Sequence, residues 1–246
     1  MSPSGGFRGL INTSIMKQEN FDYLSKQMQF LGFGDKLQND LQKAMESGKE
    51  TFSLPVTLSY GSIGEKSDVV YNLNFKKGKE DMYFLNSYHA LQNDQESKFY
   101  VNNGEKNITS KEAFNLMEGR SVFREMTNKE GEKYSAWVKV TPETLGQEKL
   151  EFQVYTENYG YDIERAMGKV NDRQLYFSHN KEDVMKSLEK GNLVEVHNMD
   201  KSEKYFVAAD PQYKSMAIFN EEGKKMMLEN INKVEEVKQE KRGVSM

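Results

Sequence analysis

The chain has 246 residues, of which 37% are hydrophobic, with 34 Lys and Arg against 38 Asp and Glu and a formal charge of −4. That supports a core for one or two domains. The acidic balance excludes a surface that coats nucleic acid throughout and leaves a local basic patch open, and the absence of cysteine excludes disulfides, thiolate metal sites and a cysteine nucleophile.

Residues 1–16 read as a flexible leader. MSPSGGFRGLINTSI lacks the apolar run of a signal peptide, and no stretch reaches the roughly 18 apolar residues of a membrane span, so a cytoplasmic protein with no membrane contact is expected. Phe21, Leu24, Met28 and Leu31 fall on one helical stripe. LGFGD stops that helix, Asp35 is placed as the next N-cap, and Leu37, Leu41 and Met45 continue as a second amphipathic helix. In TFSLPVTLSY the residues Phe52, Leu54, Val56 and Leu58 alternate with polar ones, and Pro55 assigns this strand to a sheet edge. VYNLNF, with Val69, Tyr71, Leu73 and Phe75 on one face, and MYFLNSY complete a helix, glycine and three-strand order.

The same order recurs twice. NITSKEAFNLMEGR opens with a capping box of Thr109 or Ser110 with Glu112, ends at Gly119, and leads into SVFREM, YSAWVKV and LEFQVYT. NKEDVMKSLEKG ends at Gly191 and leads into LVEVHN, YFVAAD and SMAIFN. Gly48, Gly119 and Gly191 are 71 and 72 residues apart. The expected fold is α+β, with about three helix plus three-stranded antiparallel sheet units; the alternative, one domain whose helices and hairpins happen to alternate, has the same class. The expected domains are a helical hairpin plus sheet at 17–105, a pair of helix-sheet units at 106–225 and a charged tail at 226–246. NYGYDIERAM supplies a short connecting helix with Ile163, Ala166 and Met167 on one face and Asp162 as its cap.

Chemistry-bearing patterns are weak. His89, His179 and His197 lie in separate segments without ligand spacing. Asp162 and Glu164, two positions apart on a helix, point about 200° apart and do not converge as an acid and base. GFGDKL and GSIGEKSD lack the lysine and helix of a phosphate loop. No catalytic residue, metal ligand or cofactor is expected. Tyr83, Phe123, Trp137 and Tyr155 on strands, with Arg120, Arg124 and Lys139 nearby, are candidates for stacking single-stranded nucleic acid, and packing under a helix is the competing reading for the aromatics. Tyr159, Tyr161 and Arg165 are candidates for a protein contact. Residues 39–91, 110–157 and 180–225 carry six, seven and eight basic groups against seven, nine and nine acidic ones, so no copy is a basic module.

EAFNLMEGRSV, MTNKEGEKYSAWVKV, ENYGYDIERAM and ADPQYKSMAIFNEEGKK resemble segments of an uncharacterised family of proteins carried by Bacteroidetes conjugative and other mobile elements, and FDYLSKQMQFLGFGDKL with DMYFLNSYHA resembles its companion N-terminal domain. The resemblance spans about Phe21 to Lys225. Similar domains in that family occur as tails of type IA topoisomerases, which implies an accessory role in DNA transfer or maintenance and a partner in the element's topoisomerase or relaxase machinery. It implies no catalytic residue. The expected function is a non-catalytic protein-interaction or assembly module. A single-stranded nucleic-acid-binding accessory is the alternative, and an antagonist of host defence the second alternative.

Overall fold

The computed structural model describes residues 8–61, 63–64, 66–102, 106–147, 149–200, 202–227 and 231, with side chains from residue 18 onward. Five helices and three antiparallel sheets make the fold α+β. The contacts divide the chain into two compact units. The first holds the two N-terminal helices and the four-stranded sheet; the second holds the other two sheets. The division falls after Ala113, with 60–67 belonging to the second unit and 145–150 to the first.

The first unit opens with α1 (Arg8–Phe30) and α2 (Gln38–Glu46), followed by β1 (Thr51–Gly61), β2 (Lys66–Lys77), β3 (Tyr83–Gln92) and β4 (Gln95–Tyr100) in the order β1-β2-β3-β4. The helical stripe is as expected: Leu24, Met28, Leu31, Leu37, Leu41 and Met45 are buried, and so are Val69, Tyr71, Leu73 and Phe75 of β2. Pro55 stands exposed on β1, an edge strand, where its missing N–H breaks no ladder. Phe33 packs edge-on against Tyr71 and Tyr88 at 5.3 and 5.2 Å. The two buried phenols donate to the Ser110 and Ile108 carbonyls at 2.8 Å, which satisfies them at the core boundary. Asn20 clamps α1 to β3 by accepting from Tyr83 N–H at 2.8 Å and donating to its carbonyl at 2.9 Å.

Two expectations are corrected here. Residues 8–16 of the supposed leader form the first turns of α1, because no proline interrupts the run to Phe30 and helix propagates readily from a docked segment; residues 1–7 lie outside the described residues. Asp35 does not cap α2: Leu37 holds that position, and the carbonyl of Asp35, not its side chain, accepts from Gln38 N–H at 3.1 Å.

The second unit contains β5 (Val122–Thr127), β6 (Lys133–Val140) and β7 (Phe152–Thr156), in the order β5-β6-β7. They follow α3 (Ser110–Met117), whose capping box is present: Thr109 N–H donates to Glu112 at 2.8 Å and Glu112 N–H to Thr109 Oγ1 at 3.3 Å. Next come α4 (Ile163–Asn171), β8 (Tyr176–Phe177), α5 (Lys181–Glu189), β9 (Val194–His197), β10 (Lys204–Asp210), β11 (Ser215–Phe219) and β12 (Lys225–Met226), with sheet order β12-β11-β10-β9-β8. Ala166, Met167 and Val170 of α4 and Val184 and Leu188 of α5 share a core with Val194, Val196, Tyr205, Val207, Met216 and Ile218. The expected charged tail contributes Met226 of β12, Met227 and the buried Ile231; the rest of 226–246 lies outside the described residues.

A helix, a glycine and a three-stranded antiparallel meander occur three times, although the sheets contain four, three and five strands, so the repeat is looser than three equal copies. Gly48, Gly119 and Gly191 take φ of 70°, 73° and 76°, the left-handed helix-ending conformation. Gly191 is also crowded, since a Cβ there would lie 2.9 Å from the Ser121 carbonyl oxygen and 3.1 Å from Val122 Cγ2, whereas one at Gly119 meets nothing within 4 Å. Gly119→Ala is therefore expected to cost about 1–2 kcal/mol of backbone strain. Gly191→Ala should cost about 2–4 kcal/mol, overpacking adding to strain. Urea unfolding of the two variants measures the gap, and equal costs would contradict the close approach.

Candidate functional site

Alternation along β5, β6 and β7 makes two faces. Val122, Ala136, Val138 and Val140 form one, all buried. The register aligns Phe123, Trp137 and Tyr155 across the three strands on the other. Phe123 and Trp137 lie with ring centres 5.3 Å apart, and Tyr161 meets Trp137 edge-on at 5.4 Å. A 3-10 turn at Glu157–Tyr159 and Gly160 at φ 76° bring the chain back over this face. Asp162 then starts α4 by accepting from Arg165 N–H at 3.0 Å, as the sequence predicts. Tyr159 packs edge-on against Tyr155 at 4.9 Å and donates to the Gln212 carbonyl at 2.8 Å.

Between the sheet face and this returning segment is an open cavity of about 940 Å3. It is lined by Phe123, Lys133, Tyr134, Ser135, Trp137, Tyr155, Thr156, Glu157, Asn158, Tyr161, Asp162, Ile163 and Glu189. Its size is that of a ligand pocket. The rim is acidic: among the described residues none of Glu157, Asp162 and Glu189 stands in an ion pair, while Lys133 is answered by Glu125 at 2.8 Å. Burial, reinforced by the Asp210 carboxylate, pushes the phenols of Tyr155 and Tyr161 up. Asp210 is itself buried; one oxygen accepts from Lys225 at 3.1 Å and the other has no hydrogen-bond partner among the described residues.

The predicted stacking platform needs correction. Trp137 is only 6% exposed, enclosed by Phe123 and Tyr161, so it is a packed wall and not an open platform. Tyr83, also expected to be exposed, is buried and donates to the Lys49 carbonyl at 2.8 Å. Arg124 is buried and, by alternation from Phe123, belongs to the opposite face. Arg120 is buried as well: it donates to Asn115 Oδ1 at 2.7 Å and lies 5.2 Å from the Phe114 ring centre. Burial lowers its pKa to about 10 against the opposing pull of Glu118. Asn115 in turn donates to the Lys190 carbonyl at 2.6 Å and Asn192 at 2.9 Å, so Arg120 belongs to a polar cluster tying the end of α3 to the end of α5. Lys139 is half-buried on the Trp137 face, two residues along.

Trp137 and Tyr155, read as nucleic-acid contacts, and Tyr161, read as a protein contact, thus line one cavity. Tyr159 is exposed beside it with Lys214 4.9 Å over its ring, and the Arg165 side chain is exposed on α4. Sequence reasoning read Asp162 only as the α4 cap and missed Glu157 and Glu189. Glu157 follows a strand end and could have been noticed; Glu189 carries no signal, since only the fold brings α5 near. His89 pairs with Glu96 at 3.4 Å and His197 with Ser178 at 3.3 Å, and among the described residues no three metal-ligating side chains converge. No described helix is long and apolar enough to cross a membrane. Comparison with family models, curated proteins and solved structures gives no match.

The raised phenols have a measurable consequence. Between the ordinary phenol value of 10.0 and their higher folded values, the native state holds protons that the unfolded chain has released. Stability therefore falls as pH rises above about 10. Tyr161→Phe should flatten that fall relative to the parent chain in unfolding measured across pH 9–11, and an unchanged slope would show that Tyr161 is not the desolvated group.

Proposed function

We propose that this chain is a non-catalytic protein-interaction module whose contact face is the aromatic cavity on β5–β7. The resemblance to mobile-element proteins suggests an accessory of the element's topoisomerase or relaxase machinery, acting in the cytoplasm. One observation carries the reading: the cavity has aromatic walls suited to burying a partner's side chains and a rim of three carboxylates that repels a polyanion. Two of the three cations that would have met phosphates, Arg120 and Arg124, are spent inside the fold, and Lys139 alone remains half-buried on the Trp137 face.

The test uses the full chain with a photo-crosslinking phenylalanine analogue at Tyr155, compared with the same group at exposed Tyr100 of the other unit. Irradiation in extracts of a Bacteroidetes host is expected to trap a protein from position 155 and none from 100. A labelled single-stranded oligonucleotide at low salt should give flat anisotropy. Binding of that oligonucleotide that weakens with salt and is lost in Trp137→Ala would replace the reading with the nucleic-acid one.

A further inference from the structure

We propose that the β5–β7 cavity takes the guanidinium of an arginine side chain presented by the protein partner; this rests on the reading of that face as a protein-docking surface.

Two features converge on a cation. The walls carry the half-buried rings of Phe123, Tyr155 and Tyr161 around the enclosed Trp137, and aromatic faces attract cations through their quadrupole. Glu157 and Glu189 stand at the rim without ion-pair partners among the described residues, and the one basic lining residue, Lys133, is already neutralised by Glu125. A nucleobase would gain the rings but bring a phosphate to the carboxylates, and an aliphatic side chain would leave the carboxylates unanswered.

Guanidinium fits better than ammonium. It is planar, weakly hydrated, stacks on rings and pairs with carboxylates through two N–H bonds at once. The molecule already uses this chemistry internally, with Arg120 over Phe114 at 5.2 Å and an amide oxygen accepting from the same guanidinium. A cavity of about 940 Å3 also holds more than one side chain, so residues flanking the arginine can enter with it.

Trp137 is the sole tryptophan, so intrinsic emission reports directly on this cavity. The full chain is titrated at pH 7 with N-acetyl-arginine amide and with N-acetyl-citrulline amide, its neutral near-isostere, at matched ionic strength, and binding is read by Trp137 emission and independently by calorimetry. The arginine probe is expected to saturate both signals, with the citrulline probe at least about fivefold weaker. The double variant Glu157→Gln, Glu189→Gln should lower arginine-probe affinity by a similar factor with its urea midpoint unchanged. Equal affinity for the two probes would overturn arginine recognition while leaving protein docking standing on the Tyr155 cross-link. Silence of both readouts with the arginine probe would overturn it too, and loss of the cross-link would remove the docking reading itself.

Discussion

A sheet has two faces, and on β5–β7 both carry large apolar side chains. The Val122, Ala136, Val138 and Val140 face is buried as any half-buried sheet would be. The Phe123, Trp137 and Tyr155 face has to be kept from water as well, since fully burying a side chain of this size is worth about 1.5–3 kcal/mol and each aromatic pair about 0.5–1.5 more. Its cover is the segment Glu157–Asp162, a 3-10 turn, a left-handed glycine and a helix cap. A turn is narrower than a helix. It brings Tyr161 onto Trp137 and leaves the rest of the face as a cavity, so the site follows from how the second face is covered.

The same economy of short connections governs the rest of the chain. Three helices end on a glycine at φ between 70° and 76°, and each reversal lets the following strands run antiparallel without a long loop. At Gly191 the reversal has a second role: the backbone comes within a Cβ's reach of Ser121 and Val122 at the start of β5, next to the Asn115–Arg120 cluster. Arg120 is thereby a fastener between α3 and α5: its guanidinium donates to the Asn115 amide oxygen, and Asn115 donates to the Lys190 carbonyl, an arrangement that fixes register more than it adds stability.

The legible parts of the fold were those with a local physical cause. The stripe Leu24, Met28, Leu31, the edge proline, the Thr109–Glu112 box and the Asp162 cap each follow from residues within one or two turns of each other. β4 was hidden because its hairpin turns on Asn93-Asp94, both at positive φ without the glycine that marks such turns. β8 and β12 are two residues each and carry no period. Alternation correctly placed Trp137 on the face away from Val138, yet it could not say whether that face was open. Covering it depended on Tyr161, in a segment separated from Trp137 by an entire strand.

For the same reason the order of cations and rings along the sequence misjudged the site. The segment 110–157 is nearly balanced, and Arg120 and Arg124 flank the strand that carries Phe123, so a basic aromatic surface was a fair inference from order alone. Folding sorts those charges. One arginine is drawn inward by Asn115 and the Phe114 ring, and alternation takes the other to the opposite face. Glu157 and Asp162 arrive from the turn, and Glu189 from α5, to stand around the rings. A stretch with little net charge thus gives an acidic rim, because Lys133 is paired with Glu125 while Glu157, Asp162 and Glu189 have no ion-pair partner among the described residues.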